Sequence, residues 1–353
     1  RGLGDVYKRQ MQQSASVTGT YLQNPQPGKM RFRAPDGAVR IENADIFNLK
    51  HVSVEIPTGC LVSVTGPSGS GKSTLIFQVL AKGRTDAQQN RVTGLEQFDR
   101  IVETDQSALA RMKRSNVATF SEVYTEIRNV FAGTEDAKKA GFSAKHFSFN
   151  TPGGRCENCE GMGYVENNML FFANTEVVCP VCNGNRFDKG VLAVTYRGYS
   201  IKEILDMSVD EARHVFADHK KILRILALLQ DVGLGYLQLG QSLTTLSGGE
   251  GQRLKLAKEL IENRGNNRCL YLMDEPTTGL HPRDIEHFLV LLDRLTDAGN
   301  TVVVVEHNQQ FIRNSDWVID LGPEGGEKGG FVITTGTPEA MKACAASVTA
   351  KYL

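Results

Sequence analysis

Residues 66–73 have the types and the spacing that bind a nucleotide phosphate. The segment reads G-P-S-G-S-G-K-S, fits G-x-x-x-x-G-K-[ST], and lies between an apolar β-branched run and a helical pattern. Its glycines let the backbone curl until N–H groups face phosphate oxygens, and the helix N-terminus adds a positive dipole end. We expect Lys72 to reach the β- and γ-phosphates and Ser73 to hold Mg²⁺. The residues expected to bind ATP and Mg²⁺ here are Gly66, Pro67, Ser68, Gly69, Ser70, Gly71, Lys72, Ser73 and Thr74.

Two acidic residues follow a stretch that is typical of a buried strand. Asp274 and Glu275 come directly after the apolar run Cys269–Met273, and a carboxylate at such a strand end can position Mg²⁺. Glu275 is then placed to polarise an attacking water. A solvated acidic turn is the alternative. We expect Asp274 to support the metal and Glu275 to act in catalysis.

His307 and Gln106 complete the predicted catalytic set. His307 follows the next apolar strand, Thr301–Val305, and is a candidate for contact with the γ-phosphate, although a lone histidine is more often structural. Gln106 follows Ile101 and Val102 at the start of a different kind of sequence. That is where a nucleotide-sensing glutamine would lie.

A second glycine-containing helix start lies at Leu246-Ser247-Gly248-Gly249-Glu250. Ser247 and Glu250 form the S-x-x-E pattern of a capping box, which is the structural interpretation. The two glycines also leave N–H groups at a helix N-terminus that can approach a phosphate. Because the motif follows a P-loop in the same chain, the functional interpretation is favoured.

Four of the seven cysteines form two Cys-x-x-Cys pairs, separated by 19 residues. This spacing is typical of zinc sites, and four thiolates complete a tetrahedral Zn²⁺ with no open position, which indicates a structural role. Gly161, Gly163 and Gly184 lie just after the pairs, where tight turns are needed. The predicted zinc ligands are Cys156, Cys159, Cys179 and Cys182.

Positive charge concentrates before these cysteines. Residues 107–155 contain eight Lys or Arg and four Asp or Glu, and a basic patch can contact DNA phosphates. A solvated charged face is the alternative. The candidate DNA contacts are Arg111, Lys113 and Arg114.

Strand and helix patterns alternate around these motifs and predict a largely parallel α/β core. Buried strands are expected near residues 60–65, 269–273 and 301–305, with further strands at 317–321 and 331–335. Helices are expected at 72–81, 201–229, 248–263 and 283–297. The predicted domains are a flexible lead-in at 1–40 with a possibly non-native 1–10, an ATPase core at 41–106, an insertion at 107–245 with its zinc module at about 150–190, and the second part of the core at 246–353.

Composition limits the class of protein. The chain has 353 residues, is 41% hydrophobic, and balances 40 basic against 40 acidic residues, so any nucleic-acid surface must be a local patch. The sequence contains no run of 18 or more apolar residues, so we expect no membrane-spanning helix. Clustered cysteines without a secretory leader favour metal binding over disulfides and predict a cytoplasmic location.

The order of these motifs resembles that of ATP-binding cassette (ABC) ATPases. On that resemblance Gly66–Ser73 is the Walker A motif, Gln106 the Q-loop, Leu246–Glu250 the signature, Asp274 the end of Walker B, and His307 the switch histidine. The fold implied is an α/β P-loop cassette with an inserted zinc-binding and helical signature module. In this family two cassettes pack head-to-tail, with ATP between the P-loop of one and the signature of the other, so the resemblance implies a second cassette.

The insertion narrows the resemblance to the C-terminal half of the UvrA family, since transporter cassettes lack a four-cysteine module. The resemblance runs from about Thr18 to Leu353, so we expect the chain to be part of a longer protein. It implies recognition of damaged duplex DNA in nucleotide excision repair, transfer of the DNA to UvrB, and control of loading and release by ATP hydrolysis. Stretches that carry it include Thr18–Leu22, Arg114–Asn116, Phe147–Asn150, Gly153–Cys156, Val232–Tyr236, Leu239–Gln241, Asp274–His281 and Asp320–Gly326.

One stretch departs from that family, and two alternatives to a repair protein stay open. Where the family usually has Gly-Arg-Thr-Pro-Arg-Ser, this chain has Ala-Arg-Met-Lys-Arg-Ser at 110–115, which retains basic charge but loses the turn residues. A divergent, UvrA-like drug-resistance ATPase is therefore one alternative. The soluble ATPase of a transporter is the other.

Overall fold

The computed structural model describes residues 19–20, 28–84, 91–104, 114–167, 175–262 and 267–353. Gln106, Arg111 and Lys113, which the sequence singled out, lie outside these residues. The chain forms two compact units, one from residues 1–106 with 264–353 and the other from residues 107–263. The first is called the core unit below, and the second the insertion unit.

The regular elements follow the predicted alternation closely. The strands are β1 Gly37–Ala44, β2 Val52–Thr58, β3 Leu61–Thr65, β4 Arg91–Thr93, β5 Arg100–Thr104, β6 Tyr164–Asn167, β7 Thr175–Val178, β8 Thr195–Tyr196, β9 Tyr199–Ser200, β10 Cys269–Asp274, β11 Thr301–Val305, β12 Trp317–Gly322 and β13 Phe331–Gly336. The helices are α1 Thr74–Leu80, α2 Val117–Phe120, α3 Val123–Ala132, α4 Glu135–Lys139, α5 Lys189–Leu192, α6 Ile201–Asp206, α7 Val209–Val215, α8 Lys220–Asp231, α9 Gly248–Glu262, α10 Pro282–Asp297, α11 Gln309–Arg313 and α12 Pro338–Met341. Short 3₁₀ turns lie at Ala81–Arg84, Leu95–Gln97, Leu243–Thr245, Gly326–Lys328 and Thr349–Tyr352.

A six-stranded sheet organises the described part of the core unit. Its order is β13-β12-β3-β11-β10-β5, and every pairing is parallel except that of β12 with β13. Strands β3 and β11 are buried along their whole length, as such valine-rich strands predict for a sheet covered on both faces. The parallel arrangement places the C-terminal ends of β3, β10 and β11 at one edge, where ligands bind in such sheets.

A smaller antiparallel sheet, β2-β1-β4, shares one apolar core with the large sheet. Alternating residues of β1 and β2 are buried. Helix α1 adds Leu75, Ile76 and Val79 to this core. Because α1 directly follows the glycine-rich segment, its burial fixes that segment against the sheet.

The expected lead-in over residues 1–40 is wrong for its last third. Strand β1 already begins at Gly37. Arg33 forms ion pairs with Asp293, Asp297 and Asp316. The distance to Asp316 is 2.9 Å, and the Asp316 side chain is fully buried. Lys29 also pairs with Asp293 and Asp316. Local composition does not register ion pairs with residues more than 250 positions away.

The insertion unit combines small helices with a cysteine-rich hairpin. The helical spacing over residues 201–229 divides into α6, α7 and α8, because Ser200 and Ser208 each close a capping box with a glutamate three residues later. Helix α9 belongs to this unit, which ends at residue 263, whereas the sequence placed a boundary at 245. None of the described helices combines the length and the apolar character that a bilayer crossing requires.

Candidate functional site

The segment from Gly66 to Ser73 forms a tight loop between β3 and α1. Gly66, Gly69 and Gly71 all have positive φ, at 129°, 73° and 101°. A Cβ on Gly66 would lie 2.0 Å from the carbonyl oxygen of Leu321, so only glycine fits. The Ser70 hydroxyl is buried and has no hydrogen-bond partner among the described residues. A loop of this form suits a phosphate that would accept its free donors.

Lys72 lies inside this loop and is 5% exposed. Its Nζ donates to the carbonyl oxygens of Gly66 at 3.0 Å and Pro67 at 2.8 Å. Burial lowers the pKa of Lys72, and the carboxylates of Glu275 and Asp274 oppose that shift. The ammonium is therefore placed at the centre of the phosphate loop, as the sequence predicts.

Ser73 and Asp274 meet at the carboxyl edge of the sheet. Ser73 Oγ donates to Asp274 Oδ1 at 3.4 Å. A hydroxyl and a carboxylate at this separation suit Mg²⁺, which takes few protein ligands and keeps water and phosphate oxygens for the rest. The two residues fit the predicted metal role.

Glu275 and His307 form the second polar pair of the site. His307 Nε2 lies 3.3 Å from Glu275 Oε1, and the Glu275 N–H donates to the Val305 carbonyl. Glu275 has φ of 46°, an uncommon conformation for a residue with a side chain. Burial and the Lys72 ammonium lower the pKa of His307, while Glu275 raises it. The lowered pKa of His307 favours the neutral imidazole, which can donate or accept a hydrogen bond.

A cavity of about 310 Å³ joins the loop to these two residues. This cavity brings together the P-loop, the predicted catalytic glutamate and the predicted switch histidine. Its lining residues are Asn48, Ser68, Gly69, Gly71, Lys72, Ser73, Thr74, Glu275, His307 and Gly326.

Phe47 is a candidate site residue that the sequence did not reveal. It is 85% exposed, has φ of 51°, and lines a second cavity of about 570 Å³ together with Phe77. Ser73 and Thr74 line both cavities, so the second adjoins the first. Residues with such uncommon backbone conformations cluster at binding and active sites. An exposed aromatic ring there can stack with a purine base. An aromatic residue in the loop between β1 and β2 was the signal that could have identified it.

The signature segment begins helix α9 in the insertion unit. Ser247 Oγ accepts from the Glu250 N–H at 3.3 Å, and Glu250 Oε2 accepts from the Ser247 N–H at 2.7 Å. The Tyr236 hydroxyl donates to Glu250 Oε1. Burial raises the pKa of Glu250, but the bonds from Tyr236 and Ser247 outweigh it and the net shift is downward. The capping box is present, while Ser247 and Gly248 stay exposed, as contact with a nucleotide on another cassette requires.

The four predicted zinc ligands form one buried cluster. Their Sγ atoms all lie within 4.8 Å of one another, with Cys156 to Cys179 at 3.9 Å and Cys159 to Cys182 at 3.6 Å. With Zn–S bonds of about 2.3 Å, the sulfurs of a tetrahedral ZnS₄ centre are about 3.8 Å apart. No disulfide links them. The donor set and its spacing fit a tetrahedral metal ion.

Two features support this cysteine cluster. The Gly163 N–H donates to Cys159 Sγ at 3.3 Å, and the Asn158 side chain donates to Cys179 Sγ at 3.2 Å. Gly161, Gly163 and Gly184 have positive φ, in agreement with the turns expected after each pair. Donors aimed at sulfur suit thiolates, which are the form that binds metal.

Arg114 is the predicted DNA contact that lies among the described residues. Its guanidinium pairs with Glu160 at 2.7 Å, and its side chain is 42% exposed. The residue therefore has access to solvent but shares its charge with a neighbouring carboxylate.

Comparison with known proteins gives consistent matches. The ABC transporter family model matches residues 49–278. UvrABC system protein A of Aquifex aeolicus (strain VF5) is 47% identical over 351 residues, which are 96% of this chain and 38% of that protein. The Bacillus subtilis (strain 168) protein of the same name is 45% identical, over 97% of this chain and 37% of its own length. The chain thus spans less than half of the relatives it matches.

A solved structure agrees with these matches. The crystal structure of UvrA2 from Deinococcus radiodurans is similar with a TM-score of 0.87 and 45% identity, covering 98% of this chain and 43% of that chain. The match therefore includes residues of both the core unit and the insertion unit.

Proposed function

This chain belongs to the ABC family, and on that premise we propose that it is one half of a UvrA-type ABC ATPase and hydrolyses ATP to control binding of damaged DNA in nucleotide excision repair. The ATPase proposal rests on the arrangement of polar side chains at one edge of the large sheet. There Lys72 lies in the phosphate loop, Ser73 contacts Asp274, and Glu275 contacts His307.

Each of these residues has a distinct part in the proposed reaction. The loop N–H groups and Lys72 bind the β- and γ-phosphates, so Lys72 exchanges two carbonyl contacts for phosphate oxygens. Ser73 and Asp274 would hold Mg²⁺, which neutralises charge on the phosphates when bound. Phe47 stacks on the adenine.

Glu275 positions and polarises the water that attacks the γ-phosphate. His307 contacts the γ-phosphate while its link to Glu275 orients both side chains. Because the pKa of His307 is lowered, the neutral imidazole is favoured, and it donates one hydrogen bond without adding a second charge beside Lys72. The reaction depends on positioning and electrostatics, as phosphoryl transfer generally does.

The complete site requires a second cassette. The signature residues Leu246, Ser247, Gly248, Gly249 and Glu250 of one cassette would close over ATP held by the P-loop of the other. The exposed Ser247 and Gly248 support this arrangement. Such a partner is another half-molecule of the same family or a second copy.

The four-cysteine cluster is proposed to hold a structural Zn²⁺, since its donors fit and a fully thiolate shell leaves no open position. We further propose that the insertion unit contacts damaged duplex DNA, with Arg111, Lys113 and Arg114 on phosphates, and that UvrB receives the DNA. The relatives named UvrABC system protein A support this role over the transporter and drug-resistance alternatives. The cytoplasmic location belongs to the same proposal.

Binding to lesion-bearing and intact duplexes across a salt series tests the DNA proposal. Preference for damaged DNA that a Cys156→Ser/Cys159→Ser variant loses is the expected result. Binding that falls with salt but shows no lesion preference would limit the insertion to a basic patch. Absence of binding by zinc-loaded, folded protein would overturn the DNA role.

A further inference from the structure

Glu306 is a buried carboxylate that receives four hydrogen bonds at the edge of the ATP site. It is 2% exposed. Oε1 accepts from the Thr277 N–H at 3.0 Å and from the Thr277 hydroxyl at 2.6 Å. Oε2 accepts from the N–H groups of His307 at 2.9 Å and Asn308 at 3.0 Å.

These donors belong to two different catalytic segments. Thr277 lies two residues after Glu275, in the turn that follows β10, whereas His307 and Asn308 begin the loop after β11. Asn308 also caps helix α11 through a bond from the Phe311 N–H. One carboxylate therefore connects the turn that carries Glu275 with the loop that carries His307.

The backbone of Glu306 ties this bridge to the phosphate loop. Its N–H donates to the Val64 carbonyl at 3.0 Å, two residues before Gly66, and the neighbouring Val305 carbonyl accepts from the Glu275 N–H at 2.9 Å. The side chain thus spans a short distance between segments that the sheet already places side by side.

The chemistry of the contacts calls for a carboxylate. All four contacts are donors, so each oxygen is satisfied as an acceptor, and an amide in either orientation would place its NH₂ group against an N–H donor. Burial raises the pKa of Glu306, and the bonds from Thr277, Asn308 and His307 act against that shift. None of these four contacts comes from a cation, and burial of an unpaired charge lowers the stability of a fold. A role in positioning catalytic residues therefore explains this buried carboxylate better than packing does.

We infer that Glu306 is a positioning residue that couples the turn bearing Glu275 to the loop bearing His307, an inference that rests on the proposed ATPase function. When one loop moves on nucleotide binding or release, the shared carboxylate moves the other with it. The distance between Glu275 and His307, 3.3 Å in this state, is thereby kept short enough for both to act on one γ-phosphate.

The test uses a Glu306→Gln variant of the complete protein, assembled with its second cassette. Glutamine keeps the volume, but its NH₂ group faces two N–H donors. We expect kcat for ATP to fall by about tenfold or more, because small misplacements of catalytic groups are costly, while KM for ATP stays within about threefold because the phosphate loop is unchanged. Glu55→Gln, on an exposed glutamate of β2, is the matched control and keeps wild-type kinetics.

A gentler pair of variants covers the case in which Glu306→Gln folds poorly. Thr277→Val removes one of the four bonds, and Thr277→Ser retains both Thr277 donors. We expect kcat of Thr277→Val to lie below that of Thr277→Ser, with the same melting temperature in both. Combined with Glu306→Gln, Thr277→Val should add little, since both act on one bridge.

Hydrogen–deuterium exchange separates this inference from the ATPase proposal. In Thr277→Val, amides of residues 306–311 should exchange faster although the change lies in the other loop. Absence of ATP turnover in the wild-type protein would contradict the proposed function. The exchange experiment would still show whether the turn bearing Glu275 and the loop bearing His307 are coupled. Unchanged kcat in Glu306→Gln, or unchanged exchange at 306–311 in Thr277→Val, would overturn the inference.

Discussion

The hydroxyl of Ser73 lies 3.4 Å from a carboxylate oxygen of Asp274, although 201 positions separate the two residues in the chain. Ser73 follows β3 and Asp274 ends β10, with β11 between the two strands in the sheet. Their proximity arises because parallel strands end at one edge. This pair is the part of the site that would hold Mg²⁺.

Removal of either member of this pair should strongly lower metal-dependent turnover. We expect Ser73→Ala and Asp274→Asn each to lower ATP hydrolysis on the order of 100-fold, because phosphate charge is then less neutralised in the transition state. Excess Mg²⁺ should restore part of the Ser73→Ala activity. Ser53→Ala, on an exposed serine of β2, is the control, and wild-type rates in Asp274→Asn would contradict the assignment.

Truncation of Phe47 should weaken ATP binding without unfolding the protein. Stacking of a base on an aromatic ring contributes about 1–3 kcal/mol, so Phe47→Ala should raise KM for ATP by about tenfold with little change in kcat. Phe47 is 85% exposed, and stability should therefore stay constant. Phe47→Tyr should bind as the wild type does, and Met30→Ala tests loss of an exposed apolar side chain elsewhere. An unchanged KM in Phe47→Ala would remove Phe47 from the site.

The cysteine cluster predicts one zinc ion per chain. Elemental analysis of the purified protein should show loss of zinc in Cys159→Ser, with a lower melting temperature, because metal binding contributes to folding of such modules. Cys344→Ser lies outside the cluster and should retain the ion. Full zinc content in Cys159→Ser would argue against a four-thiolate site.

His307 predicts a specific dependence of stability on pH. Burial and Lys72 lower its folded-state pKa below 6.5, and Glu275 opposes them. As the pH falls, the unfolded chain takes up the proton first, so this contribution to stability is complete above about 6.5 and is lost toward the folded pKa. Denaturant unfolding at about pH 7.5 and pH 5.5 should show a smaller loss in His307→Gln than in the wild type. The exposed His51→Gln serves as control, and an equal loss in His307→Gln would contradict the assignment.

Local motifs could be predicted from the sequence because each depends on neighbours in the chain. Gly66–Ser73 needs a strand before it and a helix after it, and the Cys-x-x-Cys pairs need only their spacing and turns. Both were found with their residues correctly assigned to elements. The strands ending at Asp274 and before His307 were likewise recognisable as apolar runs.

Contacts between distant segments could not be predicted in this way. Glu306 was passed over beside His307 because its partners in Thr277 and Asn308 depend on how two loops meet. Phe47 was missed because its exposure is known only once the P-loop is folded beside it. Arg33 was assigned to a lead-in, since its carboxylate partners lie near the other end of the sequence.

Steady-state ATP hydrolysis by the wild type and by Glu275→Gln tests the central claim most directly. The measurement uses the complete protein with Mg²⁺, with and without lesion-bearing duplex, and confirms ATP binding separately. Retained ATP binding with turnover reduced on the order of 100-fold or more is the predicted result for Glu275→Gln. Wild-type turnover in Glu275→Gln would contradict a catalytic role for the Glu275–His307 pair, and no turnover by the wild type in any of these conditions would contradict the ATPase itself.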